Sequence, residues 1–250
     1  MVMALVTTEA IVLRSYNLAE ADRIVVCLTR GAGLVRAVAR GARRMKSRFG
    51  AALEPFSFIS LVFYEKENRE LVTISQAEIL KSNFDLASEP DAAQVLAYIA
   101  ELVGDFAPPH EANDKLYRMV KASVEALASS SDISNQVMRY FEVWLLRLAG
   151  LFPELETCAE CNNHFHDDES IYLDADARTR CHRCGGRFGT VLSPATRRTV
   201  IATKKLGPRE FADVADKLSA QDQTQFAELT HRLLVRALER RPRTAIALAH

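Results

Sequence analysis

The chain has 250 residues, 48% of them hydrophobic, which is enough for one large domain or for two to three small ones. Its 32 Lys and Arg residues balance its 32 Asp and Glu residues, so the net charge indicates no particular partner. No apolar run reaches membrane-spanning length, and the start MVMALVTTEA lacks the basic region of a signal peptide. We therefore expect neither a membrane-spanning nor a secreted protein.

The N-terminal part of the sequence has the pattern of β-strands. Segments rich in Val, Ile and Phe alternate with turn residues such as Asn17, Gly31–Gly33, Gly41 and Glu67–Asn68. Five short strands so close together predict a small closed sheet, such as a five-stranded barrel, with an open sandwich as the alternative. The predicted strands are Thr8–Ser15, Arg23–Thr29, Leu34–Arg40, Phe56–Tyr64 and Leu71–Ile79.

The hydrophobic period becomes helical after this β region. Ser88-Glu89-Pro90-Asp91 looks like a helix start with a capping serine, and Pro108-Pro109 ends that helix. Gly150 and Pro153 stop a later one. The predicted helical segments are Val95–Phe106, Leu116–Leu127, Val137–Leu148, a segment that opens at Ser193-Pro194, and a last helix from about Gln221 to Arg240.

Four cysteines form two C-x2-C pairs, Cys158-Ala-Glu-Cys161 and Cys181-His-Arg-Cys184, separated by 19 residues. Two residues between thiolates let one tight turn point both sulfurs at one centre, and two such turns supply the four-sulfur tetrahedron that zinc prefers. Gly185 and Gly186 suit the turn that follows. Because four thiolates leave no open position, the spacing predicts a structural zinc. Disulfides, scattered reduced thiols, or a ligand from His164 or His166 are the alternatives.

The remaining chemistry is sparse. Paired C-x2-C turns with one odd cysteine fit a reducing compartment such as the cytoplasm, and Cys27 is interpreted as a small buried hydrophobe. The sequence contains no P-loop, no H-E-x-x-H and no G-x-S-x-G motif. The acidic run Asp167–Glu169 is interpreted as a solvated turn. We therefore predict no catalytic residues and no enzyme.

The charges are strongly segregated along the chain. No acid occurs from Arg23 to Leu53, whereas Ser82–Asp114 carries acids and no Lys or Arg. A basic strand face beside a flexible segment, Gly41–Arg48, can follow a phosphate backbone, although a solvated basic face is the alternative. The candidate nucleic-acid-binding residues are Arg23, Arg36, Arg40, Arg43, Arg44, Lys46 and Arg48. A second basic group near the C-terminus consists of Arg232, Arg236, Arg240, Arg241 and Arg243.

These features resemble the RecO family of bacterial DNA repair proteins. The resemblance is carried by TEAIVLRSYNLAEADRIVVCLTRGAGLVRAVARGARRMKSRFGAALEPFS, most specifically from Glu9–Arg14 through Lys46–Phe49, and by the ending LERRPRTAIAL. The order of barrel, helices, four-cysteine module and helices is similar too. Members commonly have Gly before the Glu of the first turn, where this chain has Ala19 before Glu20.

The resemblance implies an α+β multi-domain fold with a five-stranded OB-fold barrel, then an α-helical domain carrying an inserted four-cysteine zinc module. The implied domains are an OB-fold at 1–82, helical parts at 83–155 and 191–250, and a zinc module with one structural Zn2+ at 156–190. It implies a cytoplasmic, nucleoid-associated protein with no membrane partner and no small-molecule substrate.

The implied function is that of a non-catalytic mediator of recombinational repair. Such a protein binds single- and double-stranded DNA, anneals complementary strands and, with RecR, helps load RecA onto DNA coated by single-strand-binding protein. The acidic, aromatic C-terminal tail of that coating protein needs a basic rim round an apolar pocket. Candidates for the rim are Arg118, Lys121, Arg139 and Arg147. An RNA-binding or transcription-associated OB-fold and zinc module is the alternative.

Overall fold

The computed structural model describes residues 3–66, 71–185 and 190–244. The chain divides into two compact units, Met1–Ser131 and Asp132–His250. The first two helices, which the sequence analysis grouped with the later helices, belong to the same unit as the barrel. Among the described helices, none combines the length and apolar character needed to cross a membrane.

The first unit contains a closed barrel of five strands in the order β1-β2-β3-β5-β4. All neighbouring strands are antiparallel except β3 and β5, which are parallel. This confirms the five-stranded OB-fold barrel, and the open sandwich was wrong. The strands are β1 (Met3–Leu18), β2 (Asp22–Thr29), β3 (Gly33–Ala39), β4 (Phe58–Lys66) and β5 (Leu71–Lys81). The predicted turn at Glu67–Asn68 lies outside the described residues.

Strand β1 is longer than predicted because it pairs with two neighbouring strands. Its first half pairs with β4 and its second half with β2, and a bulge between Val12 and Arg14 bends the strand from one partner to the other. Strand β4 begins at Phe58, later than predicted, because Phe56 has a φ of 61° and is buried outside the ladder.

The alternation predicted for β3 is confirmed in the barrel wall. Val35, Ala37 and Ala39 are buried in the barrel core, whereas Arg36 is exposed. Leu34 shares the outward side of Arg36 and is nevertheless buried. It forms a bridge with Pro109, so the connection after the first helix covers it.

The connection from β3 to β4 is a chain of turns. Backbone bonds from Arg44 to Gly41 and from Ser47 to Arg44 close two of them. Its apolar residues Phe49 and Leu53 are buried in the barrel core. The predicted flexible segment Gly41–Arg48 therefore leads directly into residues that are anchored in the barrel core.

Two helices complete the first unit, α1 (Pro90–Phe106) and α2 (Asp114–Ser129). The predicted capping serine is not the cap of α1, because Phe84–Ser88 forms a 3-10 turn and Glu89 is the N-cap residue. Arg30 Nε donates to Asp114 Oδ1 at 2.8 Å, and Tyr117 Oη donates to Glu9 Oε2 at 3.4 Å. Asp114, at the end of the acidic stretch, thus balances the charge of Arg30 of the barrel.

The second unit is mainly helical, around an aromatic core of Phe141, Phe211 and Phe226. A buried polar group lies beside it, where Arg139 Nη1 contacts Glu142 Oε2 at 2.5 Å and Thr230 Oγ1 at 3.0 Å. The helices are α3 (Ser134–Leu148), α4 (His182–Gly185), α5 (Pro194–Ala202), α6 (Pro208–Ala215) and α7 (Ala220–Leu238). A small sheet in the order β7-β6-β8, which the sequence analysis did not predict, is formed by β6 (Ile171–Leu173), β7 (Thr179–Arg180) and β8 (Thr190–Leu192).

Candidate metal centre and nucleic-acid interface

The structure brings the four predicted cysteines together. The sulfurs of Cys158, Cys161, Cys181 and Cys184 all lie within 4.8 Å of one another, and those of Cys161 and Cys181 are 3.9 Å apart. A tetrahedral zinc bonded to sulfurs at about 2.3 Å requires sulfurs about 3.8 Å apart, so the spacing fits. All four are free thiols, which argues against the disulfide alternative. The group can hold a metal ion.

Backbone turns aim these sulfurs at a common centre. The amide of Asn162 donates to Cys158 O at 2.9 Å, and that of Gly185 donates to Cys181 O at 2.9 Å. A Cβ on Gly185 would lie 2.6 Å from the Cβ of Arg180, so this turn requires glycine. Gly186 lies outside the described residues. No histidine joins the cluster in the part of the chain that the structure describes.

The backbone around Cys158 favours the thiolate form of this one cysteine. Burial acts to raise the pKa of Cys158, but backbone N–H groups of Cys161, Cys181 and Glu160 donate to its sulfur and lower the pKa to about 6. By contrast, burial raises the pKa of Cys27 to about 12. Cys27 is fully buried in the barrel core, as its apolar surroundings predicted, and is an inert thiol.

Basic residues of α5 and α7 hold the cysteine module. Arg197 and Arg198 donate to the carbonyls of His166 and Asp167. Arg232 donates to the carbonyl of Asp174, and Arg236 Nη2 lies 3.1 Å from Asp176 Oδ1. Asp167 and Asp168 are exposed, in agreement with a solvated turn. Two members of the C-terminal basic group therefore have internal partners.

The predicted DNA-binding residues differ in how far their charge is available. Arg23 is half-buried and forms an ion pair with Glu54 at 2.9 Å, so it secures the β3–β4 connection to the barrel. The other six are exposed, and no ion pair joins them to a carboxylate in the described part of the chain. The exposed candidates are Arg36, Arg40, Arg43, Arg44, Lys46 and Arg48.

Two of these residues also contact the barrel. Arg43 Nη1 donates to Ala19 O at 2.8 Å, which ties the basic segment to the β1–β2 turn. The guanidinium of Arg48 lies 4.9 Å from the Phe49 ring centre. Arg44 and Lys46 carry the least constrained charge in this segment.

The four candidates for a basic rim are divided equally between the two units. Arg139 is part of the buried group with Glu142, and Arg147 is half-buried between the rings of Trp144 and Phe152. In the first unit, Arg118 Nε lies 2.9 Å from Asp114 Oδ2, the carboxylate that also pairs with Arg30, and the Lys121 ammonium lies 5.7 Å from the Phe58 ring centre. Each therefore has a local structural partner.

Sequence reasoning missed two residues on the outer face of the barrel. Arg14 and Tyr16 follow the β1 bulge and line a groove together with Arg36. The signal was present, because period-2 alternation places residues 14 and 16 on one side of a strand. Only the strand pairing shows that Arg36 shares their face.

Comparisons with known proteins agree with this architecture. Residues 3–83 match the family model described as Recombination protein O N terminal, and residues 87–244 match Recombination protein O C terminal. The chain is 33% identical over 160 residues to the DNA repair protein RecO of Koribacter versatilis, covering 64% of this chain and 65% of that protein.

Two further relatives carry the same name. Identity is 39% over 161 residues to the protein of Bifidobacterium longum, covering 64% of this chain and 66% of the relative. Identity to the protein of Rubrobacter xylanophilus is 36% over 185 residues, which cover 73% of this chain and 72% of the relative. The chain spans about two thirds of the length of the first relatives it matches. The two family models together account for the barrel, the helices and the cysteine module, and the chain therefore belongs to the recombination protein O family.

Proposed function

We propose that this protein is a non-catalytic DNA-binding mediator of recombinational repair. It binds single- and double-stranded DNA, anneals complementary strands and, with RecR, helps RecA replace single-strand-binding protein on DNA. The observation that carries the proposal is an OB-fold barrel on which the exposed Arg36, Arg40, Arg44 and Lys46 have no ion-pair partner among the described residues, in a member of this family.

The DNA path on the barrel combines a strand and a connection. Arg36 and Arg40 point outward at the end of β3, and Arg44 and Lys46 are exposed on the turns that follow. Contacts of this kind are made to phosphates, so they hold the backbone without reading sequence. Arg43 and Arg48 support the path and add charge. Arg23 stabilises the β3–β4 connection through its ion pair with Glu54.

The metal in the cysteine module is one structural zinc per chain. Cys158, Cys161, Cys181 and Cys184 would hold it with no open position, and it would supply folding free energy and no chemistry. With the arginines of α5 and α7, it fixes a module too small to bury a core of its own.

A strand-annealing assay tests the proposal. Complementary oligonucleotides, bare or coated with single-strand-binding protein, are mixed with the protein, and duplex formation is followed by energy transfer between end labels. We expect faster annealing of both, and association with RecR in sedimentation. No annealing together with a strong preference for structured RNA would overturn the proposal and favour an RNA-binding role.

A further inference from the structure

A groove of about 420 Å3 lies within the first unit, on the outer face of the barrel. Strands β1, β2 and β3 form its floor, and Ala100 and Gly104 of α1 form one wall. These two residues are one helical turn apart and have small side chains or none, so the helix leaves the space open.

Pairing between β1, β2 and β3 places the residues that line the groove in rows across the strands. Arg14 pairs with Val26, and Val26 pairs with Arg36, so the two arginines lie in one row on either side of a valine. Two strand spacings separate them, about 9.6 Å. In the next row Tyr16 pairs with Ile24. An apolar floor thus lies between two cations, with an aromatic ring at its side.

Both charged side chains that line the groove are cations, Arg14 and Arg36. Among the described residues that line it, none carries a carboxylate. Arg14 Nη1 lies 3.5 Å from Tyr16 Oη, which positions the ring beside the floor, and Tyr16 keeps 48% exposure. A large aromatic side chain left half in solvent, beside two cations that no described ion pair neutralises, suits an anionic ligand with a flat apolar part.

We propose that this groove is a nucleobase subsite for single-stranded DNA, with one unpaired base against Tyr16 and the flanking phosphates near Arg14 and Arg36. The proposal rests on the proposed function and deepens it. Every base offers a π-face, so stacking on a tyrosine tolerates any sequence. A paired base cannot enter, so the subsite distinguishes single strands from duplex.

Continuity of charge favours a nucleic acid over an acidic peptide. Arg36 lies in the groove, and the exposed Arg40, the residue directly after β3, is followed along the chain by the exposed Arg44 and Lys46. The cations therefore continue beyond the groove along the barrel surface. A polyanion uses such a track, whereas a short peptide tail would occupy only the groove.

The test compares binding of a labelled oligothymidine with that of an abasic strand of equal length. In Tyr16→Leu, we expect oligothymidine binding to weaken about 5- to 150-fold, the range that corresponds to loss of one base stack. Abasic-strand and duplex binding should be unchanged, and Tyr16→Phe should restore the affinity. Tyr64→Leu is the matched control, because Tyr64 is an exposed tyrosine on β4 of the same barrel.

A second variant blocks the groove without touching its floor. A Cβ on Gly104 meets nothing within 4 Å, so Gly104→Leu should fold and project into the groove from α1. We expect it to weaken oligothymidine binding as Tyr16→Leu does.

The outcomes separate the two proposals. If the wild type binds no DNA, the proposed function fails and the subsite fails with it. If the wild type binds and both variants keep its affinity for oligothymidine, the subsite alone is wrong. If Tyr16→Leu no longer binds an acidic, aromatic peptide but still binds oligothymidine as the wild type does, the groove is a peptide site. This result would also overturn the nucleobase subsite.

Discussion

A Cβ atom on Gly33 would lie 2.2 Å from the carbonyl oxygen of Glu111, so the start of β3 touches the backbone that joins α1 to α2. The amide of His110 also donates to Leu34 O at 3.3 Å in this region. Gly33 has a φ of +64°, which side-chain-bearing residues seldom adopt. The barrel therefore contacts the α1–α2 connection at Gly33, a position that only glycine fits.

We expect Gly33→Ala to lower the free energy of unfolding of the first unit by more than about 2 kcal/mol, because the cost of the left-handed backbone and the cost of the clash with Glu111 add together. Hydrogen exchange of β3 amides measures the change. Gly50→Ala is the matched control, because Gly50 has a φ of +50° with nothing within 4 Å of a Cβ. Its cost should be about 1 kcal/mol, from strain alone. If Gly33→Ala and Gly50→Ala lowered the free energy of unfolding equally, the clash at Gly33 would be contradicted.

Ala19 occupies a position where the resemblance suggested glycine, and its φ is 53°. Ala19→Gly should relieve the left-handed strain but make the unfolded chain more flexible, so we expect a net stabilisation of about 0.5–1 kcal/mol. Chemical denaturation measures it. Ala51→Gly is the control, because Ala51 is exposed and has no positive φ, and it should be neutral or destabilising. Destabilisation by Ala19→Gly would show that the turn prefers alanine.

Local patterns determined most of what could be predicted. Period-2 alternation identified β3, and C-x2-C spacing identified the cysteine cluster, because both depend on residues close in sequence. The long β1 was not predicted in full, since pairing with two different neighbours is a tertiary effect. The charges of Arg23 and Arg232 were likewise evident, but their partners, Glu54 and Asp174, come from distant segments and were not predicted.

Metal analysis of freshly reduced protein should find one zinc per chain. Cys161→Ser should lose it, because one of the four thiolate ligands is removed. Since structural zinc contributes about 10–16 kcal/mol of apparent free energy in small peptides, its loss should unfold the module. Hydrogen exchange should then rise around the cysteine module and stay unchanged in the barrel. Cys27→Ala removes a thiol from the barrel core and should keep the zinc. Well under one zinc in the wild type would contradict the assignment.

Acid should weaken the second unit through Asp222. Hydroxyl groups of Ser193 and Ser219 donate to its carboxylate and hold its pKa below the usual range. A depressed pKa in the folded state stabilises the protein above the unfolded pKa of about 4, and this stabilisation is lost as pH falls through the folded value. Asp222→Asn should therefore be less stable at neutral pH and show a weaker pH dependence below about 4.

Thermal unfolding across a pH series measures this effect. Asp213→Asn serves as the control, because Asp213 is an exposed carboxylate on α6 of the same unit. Its curve should follow the wild type. An Asp222→Asn curve parallel to the wild type throughout would show that the two serine hydroxyls do not stabilise the ionised carboxylate.

The basic connection after β3 should bind DNA through charge. Arg44 and Lys46 are exposed, and neither forms an ion pair with a described carboxylate, so Arg44→Gln with Lys46→Gln leaves two phosphates without a cation and keeps polar side chains. On a single strand, each phosphate that is no longer neutralised lowers the salt slope by about 0.7, so we expect a decrease of about 1.4 and weaker binding at low salt. Arg43 is left intact, because its bond to Ala19 O supports the turn.

Binding is measured at several salt concentrations, for single strands of two unrelated sequences. Lys205→Gln with Lys217→Gln removes the same charge from exposed positions of the second unit and is the matched control. If the connection is a solvated basic face, both double variants will behave like the wild type. Because phosphate contacts carry no sequence information, the Arg44 and Lys46 variant should bind both sequences more weakly and by the same factor, and a sequence-dependent weakening would contradict a backbone role.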